Sequence, residues 1–472
     1  MGPLTWQIIL GLVFTLAEDL RLVDAVKRKD MSAARNLLQE RAEVNAAQPD
    51  GSTALHWATH WDDVAMVDML LASGAQANAA NEYGATPLYL ACENRSSAVV
   101  ERLLKAGADP NSTLLNGETV LMTCARTGDA ASVKALLRTG ANPNATEKLH
   151  NQTALMWAAA EKHPEAVKAL LEGRANLRAR SRVYTQTVSS DLRTNRPDLA
   201  FTVRRGGSSP LLFAARSGDV DSVKLLLAAK ADVNDALPDG TSALQLAAYS
   251  GNTAVSLFLL EQGANPNVAV PGFTALHAAV LKSDLELVKA LLAHGADPNA
   301  RITKGTPLRR SSTDFNLPAT LIGATPYLLA AKFLEDDIMR ALLTRGANPQ
   351  LPMKDGTTPL MAAAGVGARN SQNRRGRTVI DGAKLEPEVQ VVEAVSVALS
   401  PSTDINALDL AGNTALHGAV SMGYDEVVRL LVEKGAQLNI KNKRGQTPLA
   451  QASSDPALSH TADLLRKLGA AP

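Results

Sequence analysis

The sequence predicts an all-α repeat solenoid, in which short helix pairs stack side by side. A Thr or Ser followed by Ala, Pro or Val, and usually then by Leu, recurs eleven times in the 472 residues. Seven of the ten intervals between these anchor residues are 32–34 residues long. Aromatic residues make up only 4% of the chain, against 46% hydrophobic residues in all. An apolar content dominated by Ala and Leu suits thin helical layers better than a broad globular core.

The repeat has a constant length of about 33 residues. Its anchor residues are Thr53, Thr86, Thr119, Thr153, Ser209, Ser242, Thr274, Thr325, Thr358, Thr414 and Thr447. The three longer intervals each contain one period plus 23, 18 and 23 additional residues. Such periods are typical of proteins in which each unit buries its apolar face only against its neighbours.

Each repeat predicts a turn and two helices. A Gly usually lies two residues before the anchor, often after Asp or Asn, and this pattern favours a tight turn. The anchor hydroxyl is expected to cap the first helix, which Pro at the next position also favours. A second apolar stripe such as Val67, Leu70 and Leu71 marks one face of a second helix. A glycine such as Gly74 is then expected to end that helix in the left-handed conformation.

The segments "DGSTALHWA", "GATPLYLACEN", "GFTALHAAV" and "GNTALHGAV", most of them followed by "LLxxGAxxN" or a close variant, resemble ankyrin repeats. The resemblance covers about residues 18–472 and implies about eleven helix–turn–helix units, joined by β-turns or hairpins. Residues 18–46 resemble a degenerate N-terminal cap, and Ser454–Leu468 a C-terminal one. The long arginine-containing insertions are similar to those of exported bacterial ankyrin proteins.

The sequence predicts a single solenoid over residues 18–472 with insertions at 174–205, 301–322 and 369–388. The first two interrupt turns between repeats, and the third separates the two helices of one repeat. Together they carry 17 basic and 6 acidic residues, which leaves a net charge of −10 on the rest of the chain. The insertions either fold back onto this acidic body, remain flexible and solvated, or bind an anionic partner. The candidate residues for anion binding are Arg178, Arg180, Arg182, Arg309, Arg310, Arg374, Arg375 and Arg377.

The N-terminal stretch "PLTWQIILGLVFTLA" is apolar and uncharged. It falls short of the ~20 residues needed to cross a bilayer. Because Thr15 and Ala17 place small residues at plausible cleavage positions, residues 1–17 are predicted to be a signal peptide that directs export to the periplasm or the cell exterior. Alternatively they form an apolar extension packed on the first helix pair, and the protein is then cytoplasmic. No other segment is long and apolar enough to predict a stable membrane span.

The histidine pair in "STALHWATHW" has the spacing of a zinc-binding H-E-x-x-H motif. Trp57, however, stands where that motif carries its glutamate. The resemblance instead implies that His56, His277 and His417 form hydrogen bonds along the solenoid, whereas His60 falls at a variable position. No metal or cofactor is therefore predicted.

Two pairs of residues bear on the regularity of the stack. Cys92 and Cys124 are the only cysteines, and they are predicted to be small core residues of adjacent inner helices, not a disulfide or redox pair. Arg174 and Lys230 occupy the position of the helix-ending glycine, which predicts altered turns there.

The resemblance also implies where a partner binds. Ankyrin proteins usually contact partners through turn residues just before the anchor and through the seventh and eighth residues after it. In this chain those positions hold His60, Trp61, Tyr83, Arg126, Tyr249, Phe273, Lys332 and Phe333. Five of the eight are aromatic, and aromatic residues often dominate the energy of interfaces. The alternative is that these bulky residues only cover gaps between repeats. Trp61 and Tyr83, from adjacent repeats, are predicted to form the best single patch.

The sequence favours a binding protein over an enzyme. It contains no Walker lysine and no G-x-S-x-G elbow, and "GVGARN" lacks the third glycine of a dinucleotide loop. We therefore expect a monomeric, non-catalytic scaffold that binds another protein through its concave surface. Binding of an anionic ligand through the basic insertions is the alternative. Nucleic acid is the weakest of the anionic partners, because the basic residues of the insertions do not alternate with aromatic residues on which bases could stack. An enzyme with a site assembled around an insertion is least favoured.

Overall fold

The computed structural model describes residues 19–189, 200–270, 272–305, 317, 319–367 and 387–471. The chain divides into two compact units between Arg182 and Val183. Each unit is a stack of short helix pairs, which confirms the predicted all-α repeat solenoid. Within the described ranges, every helix is too short or too polar to cross a membrane.

The described residues of unit 1 contain five helix pairs. Its helices are α1 (Arg21–Lys27), α2 (Met31–Gln39), α3 (Ala54–His60), α4 (Val64–Ala72), α5 (Pro87–Glu93), α6 (Ser97–Lys105), α7 (Val120–Thr127), α8 (Ala130–Arg138), α9 (Ala154–Ala160) and α10 (Pro164–Glu172). The first helix of each pair is the inner helix and the second is the outer helix. Each inner helix packs on its own outer helix and on the neighbouring inner helices.

Where the structure describes unit 2, the unit contains a two-stranded hairpin and seven helix pairs. Its strands are β1 (Tyr184–Ser189) and β2 (Ala200–Arg205), and its helices are α11 (Pro210–Ser217), α12 (Val220–Ala228), α13 (Ala243–Ser250), α14 (Thr253–Glu261), α15 (Ala275–Leu281), α16 (Leu285–Ala293), α17 (Pro326–Lys332), α18 (Asp336–Leu343), α19 (Pro359–Ala363), α20 (Glu388–Ala398), α21 (Ala415–Met422), α22 (Asp425–Glu433), α23 (Pro448–Ser453) and α24 (Ser459–Lys467). Short 3-10 helices lie at Ala319–Leu321 and Pro456–Leu458. The third insertion separates α19 from α20, and these two helices still pack as a pair, as predicted.

The anchor residue of each repeat begins an inner helix. Thr86 has an extended backbone, and its hydroxyl accepts the N–H of Tyr89 while Pro87 starts α5. Gly84, two residues before the anchor, has a φ of +79°. A Cβ atom there would lie 3.2 Å from the carbonyl oxygen of Thr113. Glycine is therefore required both by the turn and by the close approach of the next turn.

The motif histidines connect successive repeats. The Nδ1 atom of His56 accepts the N–H of Thr53, so its Nε2 carries the proton and donates to the carbonyl of Ala85 at 3.0 Å. His277 and His417 repeat this arrangement, which confirms the role implied by the resemblance. Burial lowers the pKa of His277 to about 4, against the opposing hydrogen bond to Ala324. These rings are neutral structural groups at neutral pH.

A row of asparagines forms a second connection between repeats. The Nδ2 atom of Asn78 donates to the carbonyl of Gly107 at 2.9 Å, and its Oδ1 accepts the N–H of Asp109 at 2.7 Å. Asn299 makes the same pair of bonds with Gly346 and Asn348. Each side chain thereby satisfies one carbonyl and one N–H in the loop that follows the next outer helix.

The prediction for the two cysteines is wrong. Cys92 of α5 and Cys124 of α7 are both fully buried, and they form a disulfide bond between adjacent inner helices. Stacking places their Cα atoms 4.7 Å apart, within the range that a disulfide spans. Cys92 lies six residues after its anchor and Cys124 five after its own, so the two cysteines do not occupy equivalent positions in their repeats.

The predicted change of turn at Arg174 and Lys230 is also wrong. Both residues adopt the left-handed conformation, with φ of 63° and 72°, as the glycines do elsewhere. The N–H of Arg174 donates to Leu171, and the next N–H donates to Leu170, the same pattern as at Gly74. The loop hydrogen bonds thus fix the turn, at a modest steric cost to the two longer side chains.

The first insertion contains β1 and β2, which the sequence analysis did not predict. The strands pair in antiparallel register, with Tyr184 opposite Arg205 and Thr187 opposite Thr202. "YTQTV" and "FTV" are rich in β-branched and aromatic residues, which favour strands. In the second insertion, Arg301 donates to the carbonyls of Gly323 and Pro352, so this arginine does fold back onto its own unit.

Candidate protein-binding surface

The inner helices of unit 1 carry aromatic side chains on their partly exposed face. Trp57, Tyr89 and Trp157 lie three or four residues after their anchors and are half-buried. Trp61 directly follows α3 and is 38% exposed. Trp57 is held by a hydrogen bond from its Nε1 to the Oε1 atom of Gln48 at 2.8 Å. None of Trp57, Tyr89 and Trp157 was predicted as a contact residue, although the tryptophan four residues after the anchor at Trp57 and Trp157 was a usable signal.

Two tryptophans and two lysines form a cluster at one end of this face. The Nζ atom of Lys27 lies 4.6 Å from the ring centroid of Trp57, and that of Lys29 lies 4.3 Å from the ring centroid of Trp61. The centroids of the two indole rings are 6.3 Å apart, and the ring centroid of His60 lies 4.7 Å from that of Trp61. We call Lys27, Lys29, Trp57, His60 and Trp61 the Trp–Lys cluster. Each lysine–indole pair contributes about 0.5–1 kcal/mol at such exposed sites.

Arg126 lies at the centre of a polar network on the same face. Its guanidinium pairs with Glu93 and lies 4.0 Å from Glu118. The hydroxyl of Tyr89 donates to Glu93 at 2.9 Å, and the Cζ atom of Arg126 is 6.0 Å from the ring centroid of Trp157. Burial, followed by the hydrogen bond to Glu93, raises the pKa of Tyr89. Arg126 is therefore already paired, and contact with a partner would have to preserve or replace this network.

The turns between repeats present a second, apolar feature. Tyr83, Leu115 and Leu149 are 64%, 69% and 66% exposed at the tips of three consecutive turns. Backbone hydrogen bonds join each tip to the next, from Leu115 to Tyr83 and from Lys148 to Asn116. Tyr83 was among the predicted contact residues, whereas the two leucines were not. Their signal was a large apolar residue four positions before the anchor, inside a polar turn.

The predicted pairing of Trp61 with Tyr83 needs revision. Trp61 lies at the carboxyl end of α3, where its described contacts are Lys29, His60 and Trp57. Tyr83 lies at a turn tip before α5, where a hydrogen bond with Glu82 raises the pKa of its phenol. The two residues therefore belong to separate features, the helix face and the turn tips.

The predicted contact residues of unit 2 differ in exposure. Phe273 is only 6% exposed, so its selection as a contact residue is wrong. It directly precedes its anchor and packs on Tyr249 of the preceding repeat, with ring centroids 5.9 Å apart. Tyr249, Lys332 and Phe333 remain partly exposed. Burial lowers the pKa of Lys332, and the charge of Asp355 opposes this effect.

The basic candidates lie only partly within the structure. Arg178, Arg180 and Arg182 are exposed, and the N–H of Arg182 donates to the carbonyl of His150. The remaining candidates lie outside the described residues: Arg309, Arg310, Arg374, Arg375 and Arg377. Within the part of the chain that the structure describes, His, Cys, Asp and Glu side chains form no group of three or more that could hold a metal ion.

The comparisons with known proteins agree with this architecture. A family model for ankyrin repeats (3 copies) matches residues 22–113, 96–181, 203–302 and 388–471. The chain is 25% identical over 255 residues to E3 ubiquitin-protein ligase KEG of Arabidopsis thaliana, which covers 52% of this chain and 16% of that protein. It is 29% identical over 216 residues to Ankyrin repeat and SOCS box protein 16 of Homo sapiens, which covers 44% of this chain and 46% of that protein.

Neurogenic locus notch homolog protein 1 of Homo sapiens is similar as well, with 29% identity over 234 residues, 46% of this chain and 8% of that protein. The chain thus matches less than half the length of each of these relatives. Ankyrin repeats generally mediate protein–protein interaction, and the family is typically non-enzymatic. The repeat, its capped helices and the matched model together show that the chain belongs to the ankyrin-repeat family.

Proposed function

We propose that this protein is a monomeric, non-catalytic scaffold that binds another protein through the inner helices and turn tips of unit 1. The observation that carries the proposal is the concentration of partly exposed aromatic side chains on that face, in a chain with only 4% aromatic residues. Tryptophan and tyrosine supply large contact areas and are enriched among the residues that dominate binding energy. The lysines on the two indole rings hold those rings in place before a partner arrives.

The polar groups on this face support binding better than catalysis. Glu93, Arg126 and Tyr89 are engaged with one another, and the motif histidines are buried and hydrogen-bonded to backbone groups. A general base needs a free position within reach of a substrate proton, which these paired groups do not offer.

The test is affinity capture with the full-length chain from an extract of its source. Trp61→Ala and Tyr83→Ala, singly and combined, are expected to weaken capture of the specific partner by about tenfold or more, since exposed aromatic anchors often contribute over 1.4 kcal/mol. Val389→Ala is the matched control, because Val389 is 70% exposed on the outer helix α20. Equal capture by all variants, with unchanged far-UV circular dichroism, would refute the proposal.

We also propose that the protein is exported into an oxidising compartment. The Cys92–Cys124 disulfide supports this location, because structural disulfides are rare where thiols are kept reduced. The apolar composition of residues 3–17 supports it independently. Mass spectrometry of the native protein should find no free thiol and an N-terminus near residue 18. Two free thiols together with an intact Met1 would contradict export.

The first insertion favours a second role in binding an anionic polymer. Its described residues include six arginines and no acidic residue. Arg178→Ser and Arg180→Ser together are expected to lower retention on a heparin column at physiological salt. Unchanged retention would exclude this segment from anion binding.

A further inference from the structure

The turn tips of unit 1 differ from the inner-helix face in both composition and charge. Tyr83, Leu115 and Leu149 are exposed apolar side chains at three consecutive turn tips, which we call the turn-tip ridge. Exposed apolar residues that lie in a row over consecutive repeats are uncommon on a soluble surface without a binding role. Backbone hydrogen bonds connect the turns of the ridge one after another.

One end of the ridge is acidic and the other is basic. Glu82 is exposed at the N-terminal end, where its N–H donates to the carbonyl of Asp50 at 2.8 Å. The half-buried carboxylate of Asp50 accepts the N–H and the hydroxyl of Ser52. Lys148 and Arg182 lie at the C-terminal end, where both side chains are exposed. The Nζ atom of Lys148 also donates to the carbonyl of Leu115 at 3.0 Å, which places its charge beside the turn-tip ridge.

The acidic residue nearest the basic end points inward. The Glu147 carboxylate is buried and accepts the N–H groups of Leu149, His150 and Gln152. Burial acts to raise its pKa, but these hydrogen bonds outweigh burial and lower the pKa. The Glu147 carboxylate is therefore satisfied by hydrogen bonds within its own turn. The surface that a partner meets at this end is basic.

The spacing of the tips defines the shape of a matching ligand. Stacked helices lie about 8–10 Å apart, so successive tips are about 10 Å apart. An extended chain advances about 3.3 Å per residue, and a polyproline II segment repeats its side-chain direction every three residues. A single extended segment therefore places one side chain on each tip if its apolar residues lie about three positions apart.

We propose that the turn-tip ridge binds an extended segment of a partner protein that has apolar residues about three positions apart and an acidic end over Lys148 and Arg182. This inference rests on the proposed function, because it assigns the chemistry of the partner to one part of the binding surface. The charges at the two ends fix the direction of the segment, since the reversed orientation would bring like charges together.

The experiment is selection of a phage-displayed library of random peptides on the full-length chain. We expect enriched peptides with acidic residues at one end and apolar residues three apart. Leu115→Ser combined with Leu149→Ser should lower the affinity for these peptides by about tenfold or more. Leu408→Ser with Leu410→Ser is the matched control, because both leucines are exposed in unit 2. Enriched peptides that bind the Leu115/Leu149 variant as tightly as the wild type, or a selection without enrichment, would overturn the inference.

A charge exchange tests the orientation. Lys148→Glu combined with Arg182→Glu should lower the affinity for the acidic peptides. A peptide with its acidic residues changed to lysine should bind this variant more tightly than it binds the wild type. If the lysine-containing peptide does not bind the double variant better than the wild type, the assignment of the acidic end is refuted. If Trp61→Ala reduces partner capture while the peptide selection fails, the ridge inference alone is wrong and the proposed function stands.

Discussion

Unit 1 and unit 2 use the same repeat with different regularity. The anchors of unit 1 follow one another at 33 or 34 residues, whereas those of unit 2 are 32 to 56 residues apart. Asn78 of unit 1 bonds to residues 29 and 31 positions later, whereas Asn299 of unit 2 makes the same bonds to residues 47 and 49 positions later. The bond is therefore set by the stacking of repeats and not by distance along the chain. A longer loop leaves these contacts unchanged. Its entropic cost is small, because the entropy of loop closure grows only slowly with loop length.

The two units also differ in where they place aromatic residues and covalent links. Unit 1 carries half-buried Trp57 and Trp157 on its inner helices and exposed Trp61 at the end of α3. The Cys92–Cys124 disulfide joins two other inner helices of this unit. Unit 2 buries Phe273 and Tyr327 instead. All four tryptophans of the chain lie within the first 157 residues, so tryptophan fluorescence reports on unit 1 while far-UV circular dichroism reports on both units. The units can thus be compared in one unfolding experiment.

The largest expected effect is on unit 1. Cys92→Ala with Cys124→Ala should lower the free energy of unfolding of unit 1 by about 3–4 kcal/mol, because the bond closes a loop between residues 32 positions apart. The measurement is urea unfolding followed by fluorescence and circular dichroism together. A reductant should shift the wild-type fluorescence transition in the same direction, without changing a side chain. The circular dichroism transition of unit 2 should stay in place, and a shift of both transitions would contradict a loss of stability confined to unit 1.

The next effect concerns His277 in unit 2. Its pKa is about 4 in the folded protein and about 6.5 in an unfolded chain, so below pH 6.5 the unfolded state binds the proton more readily. The stability that the neutral ring provides is complete above pH 6.5 and is lost as the pH falls toward 4, by roughly 3 kcal/mol. Urea unfolding at several pH values, followed by circular dichroism, measures this loss.

The chain itself provides the control for His277. Gln245 occupies the same position after its anchor, where its Oε1 accepts the N–H of Ser242 and its Nε2 donates to Phe273. His277→Gln should therefore retain both hydrogen bonds and remove their pH dependence. If the variant loses as much stability as the wild type between pH 6.5 and 4, His277 is not the titrating group.

Most of the fold could be predicted from the sequence because each repeat places equivalent residues in equivalent environments. The anchor at Thr86, the turn at Gly84 and the bonding of His56 all follow from local geometry that recurs. The disulfide could not be predicted in this way, because its two cysteines occupy different positions in their repeats. The left-handed turn at Arg174 was also missed, since loop hydrogen bonds there outweigh the intrinsic preference for glycine.

The candidate surface was less predictable than the fold. Positions before and after the anchor indicate where a side chain lies but not how its neighbours cover it, and Phe273 was misassigned for this reason. The Trp–Lys cluster depends on Lys29 of the preceding repeat reaching Trp61, a contact between repeats that no single motif encodes. Leu115 and Leu149 were visible in the sequence, but a leucine in a turn gains meaning only when consecutive tips are seen side by side.

The smallest effect tests the comparison of the two units most directly. Asn78→Ala in unit 1 and Asn299→Ala in unit 2 each remove one donor and one acceptor that link neighbouring repeats. Since the hydrogen bonds at both sites are exposed and water can replace part of the lost bonding, each change should cost about 1 kcal/mol. If the insertion only lengthens a loop, the two losses measured by urea unfolding should agree. A much smaller loss of unfolding free energy for Asn299→Ala would mean that the insertion weakens the stack it interrupts. The hydrogen bonds of Asn299 would then contribute less to the interaction between repeats than those of Asn78.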